Sequence, residues 1–217
     1  MDVQLFADSW WPMWGGAVLG TIPLALISFA IGLVLALGVA LLRLSTHRVL
    51  RGIGRVYVSI IRGTPLLVQL FVIFYGLPTI GVTIDPWPSA VVAFSLNVGG
   101  YAAEVIRAAI LSVPKGQWEA GYVVGMSHAR TLRRVILPQA ARVSVPPLSN
   151  TFISLVKDTS LASLILVTEL FRKAQEVASF TSEFLLLYTE AAIIYWIICT
   201  VLSFGQDRIE KKLEQYV

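Results

Sequence analysis

Long uncharged stretches alternate along this chain with short clusters of arginine and lysine. The run from Gly15 to Leu42 carries no charge. A helix needs about 20 apolar residues to cross a bilayer core, so this run predicts a first span over about 15–42. A second is expected over about 56–76, starting near Val56, burying Arg62 and ending before Gly76-Leu77-Pro78. A third fits about 86–113. It is uncharged from Pro86 to Ala103, continues through Glu104 and Arg107, and stops at Pro114. A fourth, over about 148–170, is interrupted by Lys157 and Asp158. A fifth, over about 184–206, carries only Glu190. The pattern therefore predicts an all-α transmembrane chain of five spans, a single domain over 1–217, with a long polar loop over 114–142.

The charged clusters orient the spans. Arg43, Arg48, Arg51 and Arg55 follow the first, and Lys115, Arg130, Arg133, Arg134 and Arg142 follow the third. Arg208, Lys211 and Lys212 follow the fifth. The segments before Gly15 and at 77–88 hold no Lys or Arg, and 168–184 holds only Arg172 and Lys173. Loops rich in these residues stay in the cytoplasm, which sets the N-terminus outside and the C-terminus inside. An odd number of spans requires the same. Trp10, Trp11, Trp14 and Trp87 then fall at the outer interface, where an aromatic belt is expected. The opening residues lack the basic segment of a cleaved leader, so the first span is expected to be retained.

Composition agrees with this reading. The chain is 56% hydrophobic and 14% charged, with a mean hydropathy of +0.75. Soluble domains carry about 25% charged residues. A net charge of +4 would suggest nucleic acid in a soluble protein. Here positive cytoplasmic loops account for it, and no nucleic-acid partner is expected. Cys199 is the one cysteine and reads as a packing residue. No Gly-x-x-x-x-Gly-Lys-[Ser/Thr] phosphate-binding loop is present. No His- or Cys-rich spacing suggests a metal. His47 and His128 are expected in solvated loops.

Within the 114–142 loop, Gly116 to Val124 reads as a short helix ended by Gly125. Ser127 is a candidate N-cap of a second helix bearing Arg130, Arg133 and Arg134 and limited by Pro138. The stretch Glu119-Ala120-Gly121-Tyr122-Val123-Val124-Gly125, followed by Val135-Ile136-Leu137-Pro138, resembles the "EAA" loop of membrane subunits of ABC importers. Other motifs carry the likeness along most of the chain: Arg62-Gly63-Thr64-Pro65, Tyr101 with Ala103, Glu104 and Arg107, Gly116-Gln117-Trp118-Glu119-Ala120, and Lys157-Asp158-Thr159-Ser160-Leu161. They are similar to those of permeases for polar amino acids, and most similar to L-cystine permeases across Gly76-Leu77-Pro78, Asp85-Pro86 and Pro146 to Asp158.

That resemblance implies a type I ABC importer permease fold in the bacterial inner (plasma) membrane. It also implies two ATPase subunits that bind ATP and Mg, a second permease chain and a solute-binding protein, with no cofactor on this chain and no enzymatic activity of its own. Glu119, Ala120, Gly121 and Gly125 would form the ATPase-coupling surface, the small residues letting the helix sit deep in a partner groove. Gly121 departs from the family, which usually has a second Ala there.

Charges inside spans mark pathways or paired sites. Glu104 and Arg107, at i,i+3, form either a structural ion pair or a gate. Lys157 and Asp158 point about 100° apart and cannot pair along one face. If the helix restarts after Pro146-Pro147, Lys157 lies about 14 Å deep at ~1.5 Å per residue. Each then needs a partner on another helix or a ligand, and a zwitterionic amino acid offers both charges. The candidate path comprises Arg62, Thr64, Asn97, Ser154, Lys157, Asp158, Thr159 and Ser160. The rival reading is an ion-gradient-driven secondary transporter, which repeated halves and broken helices would favour. A membrane-embedded enzyme would need a catalytic constellation, and Glu104, Asp158 and Glu190 have no such spacing.

Overall fold

The computed structural model describes residues 3–214; the ends of the domain expected over 1–217, residues 1–2 and 215–217, lie outside the described residues. The described residues are helical almost throughout. The chain opens with α1 (Val3–Gly16), which passes through a π turn (Ala17–Thr21) into α2 (Ile22–Leu44). Together they make one continuous helix from Gln4 to Leu44, starting well before the expected Gly15. Trp11 projects outward while Trp10 and Trp14 pack against the core, so the aromatic cluster is split between two surroundings.

The second segment departs most from expectation. Helix α3 (Arg48–Gly63) starts before Val56 and stops at Gly63, and the chain turns by 105° into α4 (Leu66–Phe71) and the turns that follow to Ile80. Pro65 is the cause. It has no N–H and forces Thr64 out of the helical region, to φ −123°, ψ 144°. Arg62, expected to be buried, is exposed at the end of α3.

Helix α5 (Pro86–Ser112) is the central strut, buried along most of its length against α2. Small residues allow that approach. A Cβ on Gly32 would lie 2.6 Å from the Val98 side chain, and one on Gly99 would lie 3.2 Å from Leu35. Close backbone approach through small residues is how helices associate where lipid removes the hydrophobic drive.

After α6 (Lys115–Val123), α7 (His128–Thr131) passes through a π turn (Leu132–Ile136) into α8 (Leu137–Asp158). Pro138 was expected to limit this helix and does not. The preceding π turn absorbs the missing donor, with Leu137 N–H bonding Leu132 O. Nor do Pro146 and Pro147 stop α8, so a depth for Lys157 reckoned from Leu148 has no helix start to rest on. A 3-10 segment (Thr159–Ile165) leads to α9 (Leu170–Thr181) where a loop was expected, and α10 (Phe184–Glu214) closes the chain. By length and composition, Gln4–Leu44, Pro86–Ser112 and Phe184–Leu213 can each cross a membrane. The bent pairs Arg48–Gly63 with Leu66–Ile80 and His128–Ile165 with Leu170–Thr181 bring the number to five if each is one span.

A buried carboxylate fastens the first and last helices. Glu169 caps α9, accepting from Phe171 N at 2.9 Å and Arg172 N at 2.7 Å. It also accepts from Tyr195 Oη on α10 at 2.7 Å and from Thr21 Oγ1 in the first π turn at 3.3 Å. Gly16 and Gly20 let the first helix lie against this corner, since a Cβ on Gly20 would sit 2.4 Å from Thr168 O. Glu190, expected as a lone charge, is buried and accepts from Ser9 Oγ of α1 at 2.6 Å. Replacing Glu169 with Ala leaves several buried donors unpaired, each costing about 1–3 kcal/mol. Glu169→Ala should therefore lower the detergent melting temperature sharply, while Glu169→Gln, which keeps an acceptor, should recover most of the loss. Equal melting of Ala, Gln and wild-type chains would contradict this role.

Candidate functional site

A cavity of about 400 Å3 opens where the α3–α4 break meets α5 and α8. Its polar lining comes from Thr64 at the break, Asn97 and Tyr101 on α5, and Asn150, Ser154 and Asp158 on α8. The spacing of Asn150, Ser154 and Asp158, at i, i+4 and i+8, puts all three on one face of α8. Asp158 is half-buried and makes no ion pair or hydrogen bond among the described residues.

Gln69 holds the break in shape. Its amide nitrogen donates to Ile61 O at 2.8 Å, Thr64 O at 3.1 Å and Thr64 Oγ1 at 2.9 Å. The two carbonyls lie where the bend has removed their helical donors. Asn97 Nδ2 donates to Gln69 Oε1 at 3.2 Å, which fixes a cavity side chain to the same clamp. The Arg62 guanidinium lies 5.4 Å from the Tyr101 ring centroid, a cation–π distance.

The expected path residues divide. Thr64, Asn97, Ser154 and Asp158 come together, and Arg62 reaches the site through Tyr101. Lys157 is exposed and does not line the cavity. Thr159 is buried with its hydroxyl on Val156 O, and Ser160 donates to Lys157 O, so both spend their donors on their own helix. Gln69, Asn150 and Thr151 were missed. For Gln69, a polar residue four positions after a proline in an apolar run is a signal that could have found it.

Glu104 and Arg107 do pair, with Arg107 Nε donating to Glu104 Oε1 at 3.0 Å. Arg43 of α2 binds the other carboxylate oxygen. Reading Arg43 as a loop charge had hidden this third member, which ties α2 to α5 at their basic end.

In the polar loop, α6 presents Glu119 and Ala120 outward beside Tyr122, Val123 and Val124, which are 50%, 86% and 69% exposed. Gly121 lies elsewhere. It is buried, and a Cβ there would meet Thr131 Cγ2 at 2.5 Å, so its smallness serves the packing of α6 on α7 rather than an outer surface. Gly125 is the left-handed C′ residue, at φ +74°. Gly125 N–H bonds Tyr122 O and Met126 N–H bonds Gly121 O, both at 2.9 Å, a Schellman stop. Ser127 sits at the N-cap of α7 without a side-chain cap bond. His128 is exposed but engaged, stacked on Trp118 at 4.8 Å and 2.8 Å from Tyr122 Oη. Trp118 and Leu132 pack onto a small core of Ala109, Ile110, Val113, Ile136 and Ala140, which seats the loop on the ends of α5 and α8. No group of His, Cys, Asp and Glu among the described residues could hold a metal ion.

Comparison with known proteins gives this architecture a family. The chain is 64% identical over 215 residues to the L-cystine transport system permease protein TcyB of Bacillus subtilis (strain 168), covering 99% of this chain and 92% of that protein. It is 39% identical over 196 residues to the glutamine transport system permease protein GlnP of Escherichia coli (strain K12), covering 89% and 90%. A solved structure described as an amino acid ABC transporter with histidines superposes with a TM-score of 0.91 at 33% identity, over 98% of this chain and 99% of that one. An inward-facing MetNI methionine ABC transporter shares the fold, with a TM-score of 0.79 at 21% identity over 93% and 96%. The fold is that of type I ABC importer permeases. The family model for binding-protein-dependent transport system inner membrane components matches residues 28–215, and the chain belongs to that family of multi-pass bacterial membrane proteins.

Proposed function

We propose that this chain forms half of the pore of an ATP-driven importer of a polar amino acid, and that the amino acid is L-cystine. The observation that carries the reading is a polar cavity holding an unpaired carboxylate, framed by the same two helices whose far ends seat an exposed coupling helix. The 64% identity to TcyB supports cystine.

Cystine carries a carboxylate and an ammonium at each end. Asp158 suits the ammonium, Arg62 the carboxylate, and Asn97, Asn150 and Ser154 supply neutral hydrogen bonds. Two such chains enclose the path. The basic clusters face the cytoplasm, the N-terminus lies outside and the C-terminus inside. Each 114–142 loop docks on an ATPase subunit through Glu119, Ala120 and the apolar residues after them. ATP and Mg belong to those subunits, and a solute-binding protein delivers the substrate. Closure of the ATPases draws the loops together, and the Trp118 core passes that motion to α5 and α8, which line the cavity.

Two measurements test this. Asp158→Asn in the reconstituted complex should weaken cystine-stimulated ATPase roughly 10- to 100-fold, the loss of one charged hydrogen bond of about 1.5–3 kcal/mol, and leave basal hydrolysis intact. Unchanged cystine uptake would remove Asp158 from the site. Glu119 has no partner among the described residues, so Glu119→Lys should leave the melting temperature of the chain unchanged and abolish copurification of the ATPase. Retention of the ATPase by that variant would place the docking surface elsewhere.

A further inference from the structure

The polar cavity sits at mid-depth, since Asn97 and Tyr101 flank the middle of α5. Around its mouth the chain turns polar groups outward. Arg62, Thr64, Tyr101, Asn150 and Ser154 are all exposed. On α8 the exposure runs as a stripe: Asn150, Ser154 and Lys157 follow at i, i+4 and i+7 and share one face. Arg62 and Lys157 have no carboxylate partner among the described residues. Charged side chains at this depth are costly against lipid and face a bundle interior or water. This face therefore turns away from hydrocarbon, which suits the exposed apolar side chains elsewhere, such as Leu19, Val34 and Val201.

The symmetry of the proposed substrate meets this face. Cystine is two identical amino-acid heads joined by a disulfide, and a two-fold axis through that bond exchanges them. A disulfide holds its two α-carbons about 5.5–6 Å apart, so the heads stay close to the axis. The cavity of about 400 Å3 has room for the whole molecule, but its charges serve one head only. It offers one carboxylate, on Asp158, and one guanidinium, on Arg62 beside Tyr101. A cystine held by one chain would leave its second ammonium and second carboxylate without charged partners. Two copies about a two-fold axis present the same groups twice.

Building on the cystine reading above, we infer that two copies of this chain meet at this face and share one substrate site, with a single cystine lying across their two-fold axis and one head in each cavity. In each copy Asp158 takes the ammonium and Arg62 the carboxylate, and the disulfide crosses the axis. Selectivity follows from the sharing. A single-headed amino acid fills one cavity and leaves the Asp158 of the other copy unpaired. A two-headed one engages both, and its second head binds as an intramolecular event. The shared site thus selects two-headed amino acids over their halves.

The test reconstitutes the complex with its ATPase subunits, isolates it through different tags on two copies of the chain, and measures bound radiolabelled L-cystine. Wild-type pairs should bind one cystine per two copies. Pairs carrying Asp158→Asn in one copy only should bind cystine roughly 10- to 100-fold more weakly, with no fraction of sites left at wild-type affinity. S-methyl-L-cysteine, a single head with its thiol capped, should bind wild-type pairs roughly 100-fold more weakly than cystine. Two cystines per wild-type pair, or half of the sites at wild-type affinity in the mixed pair, would overturn the shared site and leave cystine as the substrate. No cystine on wild-type pairs would remove the cystine reading and the shared site together. Failure of the two tags to copurify would give this face to a different chain and overturn the sharing alone.

Discussion

A backbone in hydrocarbon has no water to bond, so any break in a spanning helix must be closed by the protein's own side chains. That constraint shapes this molecule at Gly63-Thr64-Pro65. The 105° turn there is what opens space between α3, α4, α5 and α8. It is sustainable because Gln69 returns donors to the carbonyls of Ile61 and Thr64. The same amide accepts from Asn97, so the device that closes the broken backbone also positions a cavity side chain. Structural repair and site geometry thus rest on one residue.

Continuous helices and packed contacts join the polar loop to the cavity. Helix α5 is buried on the α2 side by glycine-mediated contact, and its last turn enters the core beneath the polar loop. The π turn at Leu132–Ile136 lets α8 run past Pro138 without stopping, so loop and cavity share an unbroken rod from Leu137 to Asp158. The ion cluster of Arg43, Glu104 and Arg107 binds α2 to α5 near the same end.

Much of this was legible in the chain. Uncharged runs marked the apolar helices, and the spacing from Glu119 to Pro138 marked the loop. Four of the eight expected path residues line the cavity, and Arg62 reaches it through a ring contact. The misses share a cause, because hydropathy reports burial but not who satisfies whom. Arg43 resembled a loop charge until α2 was seen to place it against Glu104. Glu169 lay unremarked at the end of the expected fourth span, yet it is the buried cap that joins Thr21, α9 and Tyr195. Gly121 looked like part of a docking surface, but its missing Cβ makes room for Thr131. Prolines misled in both directions. Pro65 broke a helix that hydropathy ran through, and Pro138, Pro146 and Pro147 did not break one where interruption was expected.

The central claim is that the cavity built at the break is the transport site. Thiol accessibility at Ser154→Cys, in a Cys199→Ser background of the complete reconstituted complex, tests it most directly. The account predicts that a membrane-impermeant maleimide labels this position from one side without nucleotide and from the other with a trapped ATP state, and that cystine protects it in both. Labelling that ignores nucleotide and cystine alike would contradict the account.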